Sequence, residues 1–189
     1  MILDSDSVHD HNDDNIMGYM PAGRVFSSIV RFDNFGSAVM LGGLTWDGVA
    51  GDIWTLSLDM AINMIEQPGK YPVQNVWARR DLQQDVGNHL VWYGHATGLI
   101  NNRALFVFGG IDDQAYAMRD TLAYDIISNE VTLLSESGEP PQTRVGHGLL
   151  SIGNGMMLLY GGEDPGGQGS LSDLWHIRVH LEESDVHYS

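Results

Sequence analysis

The sequence predicts an all-β protein made of a repeated unit, and three observations support this prediction. A strand, a tight turn and a second strand ending in a Gly-Gly doublet occur three times within the 189 residues. After each doublet come a polar loop and a third strand that starts at an aspartate. The 23 glycines largely punctuate this repeat, because glycine tolerates positive φ and close backbone approach where a strand leaves a sheet.

Each unit contains four predicted strands. The first strands are predicted at 25–31, 94–100 and 146–152, and the second at 37–41, 104–108 and 156–160. The third strands are predicted at 52–58, 120–126 and 173–179, and the fourth at 61–65, 131–134 and 186–188. Four antiparallel strands in about 50 residues is the size of one propeller blade. The sequence therefore predicts three blades, at about 24–65, 93–134 and 144–188.

Two further features of the units point to a known family. The third strands carry Trp54, Tyr124 and Trp175, and Arg144 and His147 stand where the chain enters the first strand of the third unit. Together with the doublets, these residues resemble the kelch repeat, whose blades have Gly-Gly after the second strand and aromatic residues on the outer strands. The resemblance begins near residue 20, extends almost to the end of the chain and implies a β-propeller.

The chain departs from the family pattern in two places. Ser27 stands in the first unit where the family has histidine, and the fourth strands offer Ile65, Leu134 and Tyr188 in place of tryptophan. Closed propellers have four to eight blades, so three blades leave an unpaired flank at each end. We therefore expect an incomplete ring. It is either part of a larger propeller, which we favour, or a ring completed by a second copy or another chain.

Composition excludes several functions. The chain carries 25 acidic and 9 basic residues, a formal net charge of −16, and Lys70 is its single lysine. This argues against binding to nucleic acid or an anionic membrane, because both need basic residues opposite phosphates. The absence of cysteine excludes disulfides, a thiol nucleophile and the cysteine-dependent copper site of galactose-oxidase-type kelch enzymes. We expect an acidic, disordered tail over 1–19 and a cytoplasmic or nuclear protein.

In kelch propellers the loops after the doublets share one rim of the ring with the arginines that precede the first strands. The loops in question are 44–51, 111–119 and 163–172, which we call the rim loops. The resemblance implies a partner-binding rim that includes Arg24, Trp46, Arg79, Arg80, Asp112, Asp113, Tyr116, Arg144, Glu163 and Asp164. Arg79 or Arg80 is expected to take in the second unit the place of Arg24 and Arg144. These arginines would bind acidic or phosphorylated peptides through paired hydrogen bonds, unless each braces its own blade.

A long loop is predicted between the first two blades, at 66–92. The first two doublets are 67 residues apart, against 52 for the next two. The loop holds Asp81, Asp85 and His89, which would share one face of a helix, and carboxylates with an imidazole suit Fe(II), Mn or Zn. This spacing is similar to the acidic-x3-Asp-x3-His iron site of the plant specifier kelch proteins. The alternative is a solvated polar loop.

His95 and His147 occupy equivalent positions at the start of two first strands. Repetition in phase with the fold favours a structural role, in which each imidazole ties a strand to a loop by hydrogen bonds. We expect structural roles for all the repeated residues, namely Gly42, Gly43, Gly109, Gly110, Gly161, Gly162, Trp54, Trp175, His95 and His147.

The sequence thus predicts a non-catalytic protein-interaction module that binds a protein or peptide through its rim and needs no cofactor. Two alternatives stay open. One is a metal-dependent kelch enzyme or specifier-like protein that uses Asp81, Asp85 and His89. The other is a structural subunit whose open flanks are completed by another chain.

Overall fold

The computed structural model describes residues 20–32, 36–72, 76–82, 92–181 and 184–189. Strands dominate these ranges, and no helix within them has the length and apolar character needed to cross a lipid bilayer. The predicted acidic tail, 1–19, lies outside the described residues. Three sheets with four antiparallel strands each follow one another along the chain, and we call them blades one to three. The third sheet has a fifth strand at its edge, which pairs in parallel.

Blade one is formed by the first part of the chain. Its elements are β1 (Arg24–Val25), β2 (Ser28–Phe32), β3 (Ser37–Leu41), β4 (Leu44–Thr45), β5 (Gly48–Val49), β6 (Ile53–Ser57), α1 (Leu58–Glu66) and β7 (Trp77–Arg80). The strand order is β2-β3-β6-β7, and every neighbouring pair is antiparallel.

The fourth strand of blade one differs from the prediction. Residues 61–65 lie in α1, which begins after Ser57, whose hydroxyl accepts a hydrogen bond from the Met60 amide at 3.4 Å. Such an N-cap, with Asp59 in the first turn, favours helix over strand. The fourth strand is β7 instead, and it begins with Trp77. The residues that lengthen the first repeat therefore form an insertion within blade one, ahead of β7. The prediction of a loop over 66–92 is wrong for β7, which is a strand.

Blades two and three follow the predicted pattern more closely. Blade two contains β8 (Trp92–Tyr93), β9 (Ala96–Ile100), β10 (Ala104–Phe108), β11 (Ile111–Asp112), β12 (Leu122–Asp125), β13 (Glu130–Leu133) and the outgoing strand β14 (Ser135–Ser137). Blade three contains β15 (Gly148–Gly153), β16 (Met156–Tyr160), β17 (Glu163–Asp164), β18 (Gly169–Ser170), β19 (Leu174–His180) and β20 (Asp185–Tyr188). The strand β14 pairs in parallel with β20, so the segment leaving blade two lines the outer edge of blade three.

Each rim loop pairs with the segment that leads into the first strand of its own blade. In blade one, β4 pairs with both β1 and β5, and in blade two β11 pairs with β8. In blade three, Val145 forms the equivalent bridge to Glu163, which starts the β17–β18 ribbon. All three loops are thus short β-ribbons fixed to the start of a blade.

The apolar core lies between the blades. We call the boundary between blades one and two seam 1–2, and that between blades two and three seam 2–3. Side chains alternate across a strand, so Leu105 and Val107 of β10 pack in seam 1–2, while Phe106 and Phe108 pack in seam 2–3. Burial on both faces explains why β10 is apolar throughout. Each fully buried side chain of this size contributes about 1.5–3 kcal/mol relative to exposure.

Gly98 of β9 gives a test of how tightly seam 2–3 is packed. A Cβ on Gly98 would lie 2.5 Å from Met157 Sδ and 3.2 Å from Leu149 Cδ2, both on blade three. We expect Gly98→Ala to lower the free energy of unfolding by about 1–3 kcal/mol, measured by urea denaturation. The control is Gly148→Ala at the start of β15, where the nearest atom lies at 3.8 Å and no loss is expected. Equal stability of the two variants would contradict close packing of the seam.

Candidate functional site

Backbone hydrogen bonds join the three blades where their first strands begin. The amide of Gly94 donates to the Phe26 carbonyl at 3.0 Å, and the amide of Gly146 donates to the Gly94 carbonyl at 2.9 Å. Phe26, Gly94 and Gly146 are equivalent residues, and all three have positive φ. A positive φ is unusual for a bulky residue such as phenylalanine. Blade one therefore keeps this backbone conformation although it has no glycine there.

The doublets make the second contact between blades. Gly43 donates to the Trp92 carbonyl at 3.1 Å, and Gly110 donates to the Arg144 carbonyl at 2.9 Å. A Cβ on Gly42, the residue before, would lie 2.6 Å from the same Trp92 oxygen, which no real side chain tolerates. The predicted structural role of the doublets therefore has a direct cause, namely the close approach of the next blade.

Arg144 is completely buried and is held entirely by its own blade. Its Nη1 donates to Asp173 Oδ1 at 2.7 Å and to the Gly161 carbonyl at 3.0 Å, while Nη2 donates to Asp173 Oδ2 at 2.8 Å. Trp175 Nε1 donates to the same carboxylate at 2.5 Å. The Arg144 guanidinium holds the pKa of the Asp173 carboxyl well below its usual range, and the Trp175 hydrogen bond adds to this effect.

Blade one repeats this arrangement. Arg24 pairs with Asp52 and donates to the Gly42 carbonyl at 3.1 Å, and Trp54 Nε1 donates to Asp52 Oδ2 at 2.7 Å. Burial opposes ionisation of Asp52, but the hydrogen bonds from Arg24 and Trp54 outweigh it and lower the pKa of this carboxyl. In both blades an arginine bridges the start of the first strand, the doublet and the start of the third strand. The geometry favours the bracing alternative for Arg24 and Arg144.

Blade two has no such arginine. Trp92 holds the equivalent place, two residues before Gly94, and its indole is buried in seam 1–2. The expectation that Arg79 or Arg80 takes this place is wrong, because both lie on β7 in blade one. Arg80 instead donates to the Ile126 carbonyl of blade two at 2.6 Å, which ties the two blades together.

The carboxylates of the braces were not predicted from the sequence. Asp52 and Asp173 lie immediately before β6 and β19, and each precedes a tryptophan by two residues. The recurrence of this Asp-x-Trp spacing beside an upstream arginine is the signal that would have identified the ion pairs.

The two repeated histidines are buried at the seams. His95 Nε2 lies 2.9 Å from Ser28 Oγ of blade one. The His147 ring packs edge-on against Phe108, with centroids 5.7 Å apart, and its nitrogens find no hydrogen-bond partner among the described residues. Strand register places Ala96 of blade two where Ser28 stands in blade one, so the hydroxyl that serves His95 is missing for His147.

Burial keeps both imidazoles neutral. Desolvation, together with the nearby His147, lowers the pKa of His95 to about 3. Desolvation and the Arg144 charge lower the pKa of His147 to about 4. Both histidines thus behave as structural elements of the seams.

A second polar junction joins blades two and three at their outer side. The Thr121 hydroxyl donates to Glu136 Oε1 at 2.7 Å and lies 2.7 Å from Tyr188 Oη. Burial raises the pKa of the Tyr188 hydroxyl, so it remains a neutral hydrogen-bonding group. Because Glu136 lies on β14, this junction anchors the parallel outer strand of blade three.

The proposed metal site falls mostly outside the described residues. Asp85 and His89 lie there, whereas Asp81 is described and strongly exposed at the end of β7. The Asp81 backbone carbonyl accepts a hydrogen bond from Asn129 of blade two. Within the described ranges no group of three histidine or acidic side chains is arranged to hold a metal ion.

The rim loops contain two kinds of residue: those whose side chains hold the loop in shape by hydrogen bonds, and those whose side chains are exposed. Asp112 Oδ1 accepts hydrogen bonds from the amides of Gln114 and Tyr116 at 2.9 and 2.8 Å, and Asp164 Oδ1 accepts one from Gly166 at 2.8 Å. These two carboxylates therefore shape their loops.

The free residues of the rim loops are aromatic and acidic. Trp46 is 99% exposed at the tip of the β4–β5 hairpin, and Tyr116 is 66% exposed. Asp113 and Glu163 are exposed as well.

We expect the arginine braces to be essential for stability. Arg144→Ala removes a buried charge, its hydrogen bonds and its packing, and should lower the free energy of unfolding by about 3 kcal/mol, with a smaller loss for Arg24→Ala. The matched control is Arg103→Ala, which breaks an exposed pair with Asp125 and should cost at most about 1 kcal/mol. Denaturant titration measures all three, and a loss for Arg144→Ala no larger than the control would contradict the brace.

The buried histidines predict a pH dependence. An unfolded histidine titrates near pH ~6.5, so between about pH 6.5 and 4 the unfolded chain binds more protons than the folded one. The free energy of unfolding should therefore fall with decreasing pH in this window, by up to about 1.4 kcal/mol per pH unit for each histidine. Carboxylates with lowered pKa, such as Asp52, begin to lose their stabilising effect below about pH 5, so the histidine contribution is measured between about pH 6.5 and 5. Chemical denaturation across the window measures the slope.

Substitutions assign the slope to its residues. His95→Asn and His147→Asn should each make the dependence shallower, whereas His180→Asn, at an exposed residue of β19, should leave it unchanged. An unchanged slope in both seam variants would show that the histidines are not its source.

Comparison with known proteins agrees with the kelch-like pattern. No protein-family model matches the chain. Over 96 residues, 50% of its length, it is 26% identical to the Tip elongation aberrant protein 1 of Schizosaccharomyces pombe. Over 99 residues, 47% of its length, it is 34% identical to the serine/threonine-protein phosphatase BSL2 of Arabidopsis thaliana. Both relatives are kelch-repeat proteins, and the chain spans less than a tenth of the length of either, 8% and 9% respectively.

Proposed function

We propose that the chain is a non-catalytic protein-interaction module whose contact surface is formed by the rim loops. The observation that carries this proposal is the exposure of Trp46 at the tip of a hairpin that is itself fixed in place. Thr45 Oγ1 donates to the Gly48 carbonyl at 2.8 Å across the hairpin, and β4 pairs with β1 at the start of blade one. A rigidly presented tryptophan is the residue type that most often dominates binding energy at protein interfaces.

The charges of the rim loops favour a basic partner. Five acidic residues lie in these loops, against the single basic residue Arg119. The arginines that the family resemblance assigned to acidic peptides, Arg24 and Arg144, are buried against aspartates. Complementary charge directs association, so an arginine- or lysine-rich peptide suits this surface better than an acidic or phosphorylated one.

The comparisons support an interaction role at the level of the repeat. Both relatives contain kelch repeats, and the repeated units of this chain resemble that repeat. The name of the plant relative describes a phosphatase, but the match covers 9% of that protein, so the proposal concerns the repeat alone.

A peptide array tests the proposal. Arrays of arginine- and lysine-rich decapeptides beside aspartate- and glutamate-rich ones are probed with the purified chain, and hits are titrated by fluorescence anisotropy. We expect binding to basic peptides only, weakened at least tenfold by Trp46→Ala and by Tyr116→Ala. Ile127→Ala, at an exposed residue between β12 and β13, is the control and should bind normally.

Two further comparisons separate specific binding from the general acidity of the chain. Trp46→Ala leaves the net charge unchanged, so undiminished binding by this variant would contradict the proposal. Asp113→Asn in a rim loop should weaken binding more than Glu130→Gln, which removes the same charge from an exposed residue of blade two. Preference for acidic peptides would also contradict it.

A further inference from the structure

Blade three presents an apolar face that no described residue covers. Leu150, Ile152, Tyr160 and Leu174 lie on this face and are between 47% and 64% exposed. They alternate along β15, β16 and β19 with the residues that pack into seam 2–3, so they belong to the opposite side of the same sheet. We call this surface the open face of blade three.

The open face corresponds to the faces that form the two internal seams. Strand register makes Tyr160 the counterpart of Leu41, and Leu174 the counterpart of Ile53. In blade one, Leu41 and Ile53 are fully buried in seam 1–2. Blade three therefore has large apolar residues on the face that, in blades one and two, packs against the blade that follows.

Backbone groups at the open face are also left without partners. Gly43 and Gly110 each donate to a carbonyl of the following blade, at Trp92 and Arg144. The equivalent amide of Gly162 has no hydrogen-bond acceptor among the described residues. A following blade would supply one at the residue equivalent to Trp92 and Arg144, and in blade one this residue is Arg24.

Blade one carries the opposite half of a seam. Val25 and Ile29 are 54% and 56% exposed on the side that faces away from blade two. Their counterparts in blade three include Leu149, the counterpart of Ile29, and Leu149 packs into seam 2–3. The described residues thus hold two complete seams and the two complementary halves of a third.

We propose that a second copy of this chain closes the ring. Blade three of each copy packs on blade one of the other, which forms two identical seams related by a two-fold axis. The amide of Gly162 donates to the Arg24 carbonyl of the second copy, as Gly43 and Gly110 donate within the chain. The result is a six-bladed ring, within the range of closed propellers. A second copy fits better than an unrelated partner because both halves of the missing seam lie on this chain.

The first test is the mass in solution. Light scattering between 5 and 100 µM should give twice the chain mass of 20.8 kDa. Ile29→Glu and Leu150→Glu should each raise the dissociation constant of the dimer at least tenfold. Ile127→Glu and Leu133→Glu place the same charge on exposed apolar residues of blade two and should leave the dimer intact. A monomer over the whole range, or polydisperse aggregates without a defined dimer, would overturn the proposal.

The second test identifies which faces meet. The chain has no cysteine, so introduced thiols crosslink without background. In seam 2–3, a Cβ on Gly98 would lie 3.2 Å from Leu149, and the counterparts of Gly98 and Leu149 in the proposed seam are Leu150 and Ile29. A mixture of Ile29→Cys and Leu150→Cys should therefore form a disulfide-linked dimer on oxidation. Each variant alone should stay uncrosslinked, and crosslinking of Leu150→Cys with itself would show face-to-face association and overturn the ring.

Discussion

The structure depends on one steric constraint, the approach of neighbouring blades at the first glycine of the first two doublets. Gly42 and Gly109 lie so close to the carbonyls of Trp92 and Arg144 that a side chain has no room. Because the backbones meet there, Gly43 and Gly110, the second glycines of these two doublets, donate hydrogen bonds to the same carbonyls. These backbone contacts set the distance between neighbouring blades, and the apolar side chains of the two seams pack at that distance. Larger residues at these two positions would separate the blades and expose both seams to water.

The burial of charge is a second constraint, and it decides the electrostatics of the rim. A guanidinium as buried as that of Arg144 is stable only when carboxylate and carbonyl oxygens surround it, and Asp173 and Gly161 supply them. The same holds for Arg24 with Asp52. The charges of Arg24 and Arg144 are thereby neutralised inside the blades, while Asp113 and Glu163 in the rim loops stay exposed. The acidic character of the proposed binding surface thus follows from how the blades are braced.

The fold is predictable from the sequence where a pattern is compatible with one structure, and is not predictable where a pattern is compatible with two. All three second strands are predicted to the residue, because an apolar run between a turn and a glycine doublet has no competing conformation. The segment Leu58–Glu66 is as apolar as a strand. The feature of the sequence that favours a helix there is the N-cap residue Ser57. The Asp-x-Trp spacing in the sequence identifies the aspartates that pair with Arg24 and Arg144. The replacement of this arginine by Trp92 in blade two is visible only when the units are aligned on Gly94. Which side chains are buried depends on residues of the neighbouring blade, and the sequence pattern of a single strand does not contain that information.

The glycine contacts of the seams do not depend on the connection between consecutive blades. The chain leaves blade two at β13 and β14, and β14 pairs with β20, whereas the glycine contacts lie where the first strands begin. These glycine hydrogen bonds join groups that a blade carries whichever chain it belongs to. A seam between two molecules therefore makes the same glycine contacts as a seam within one. It differs in the translational and rotational freedom lost on association, which makes the stability of such a ring depend on protein concentration.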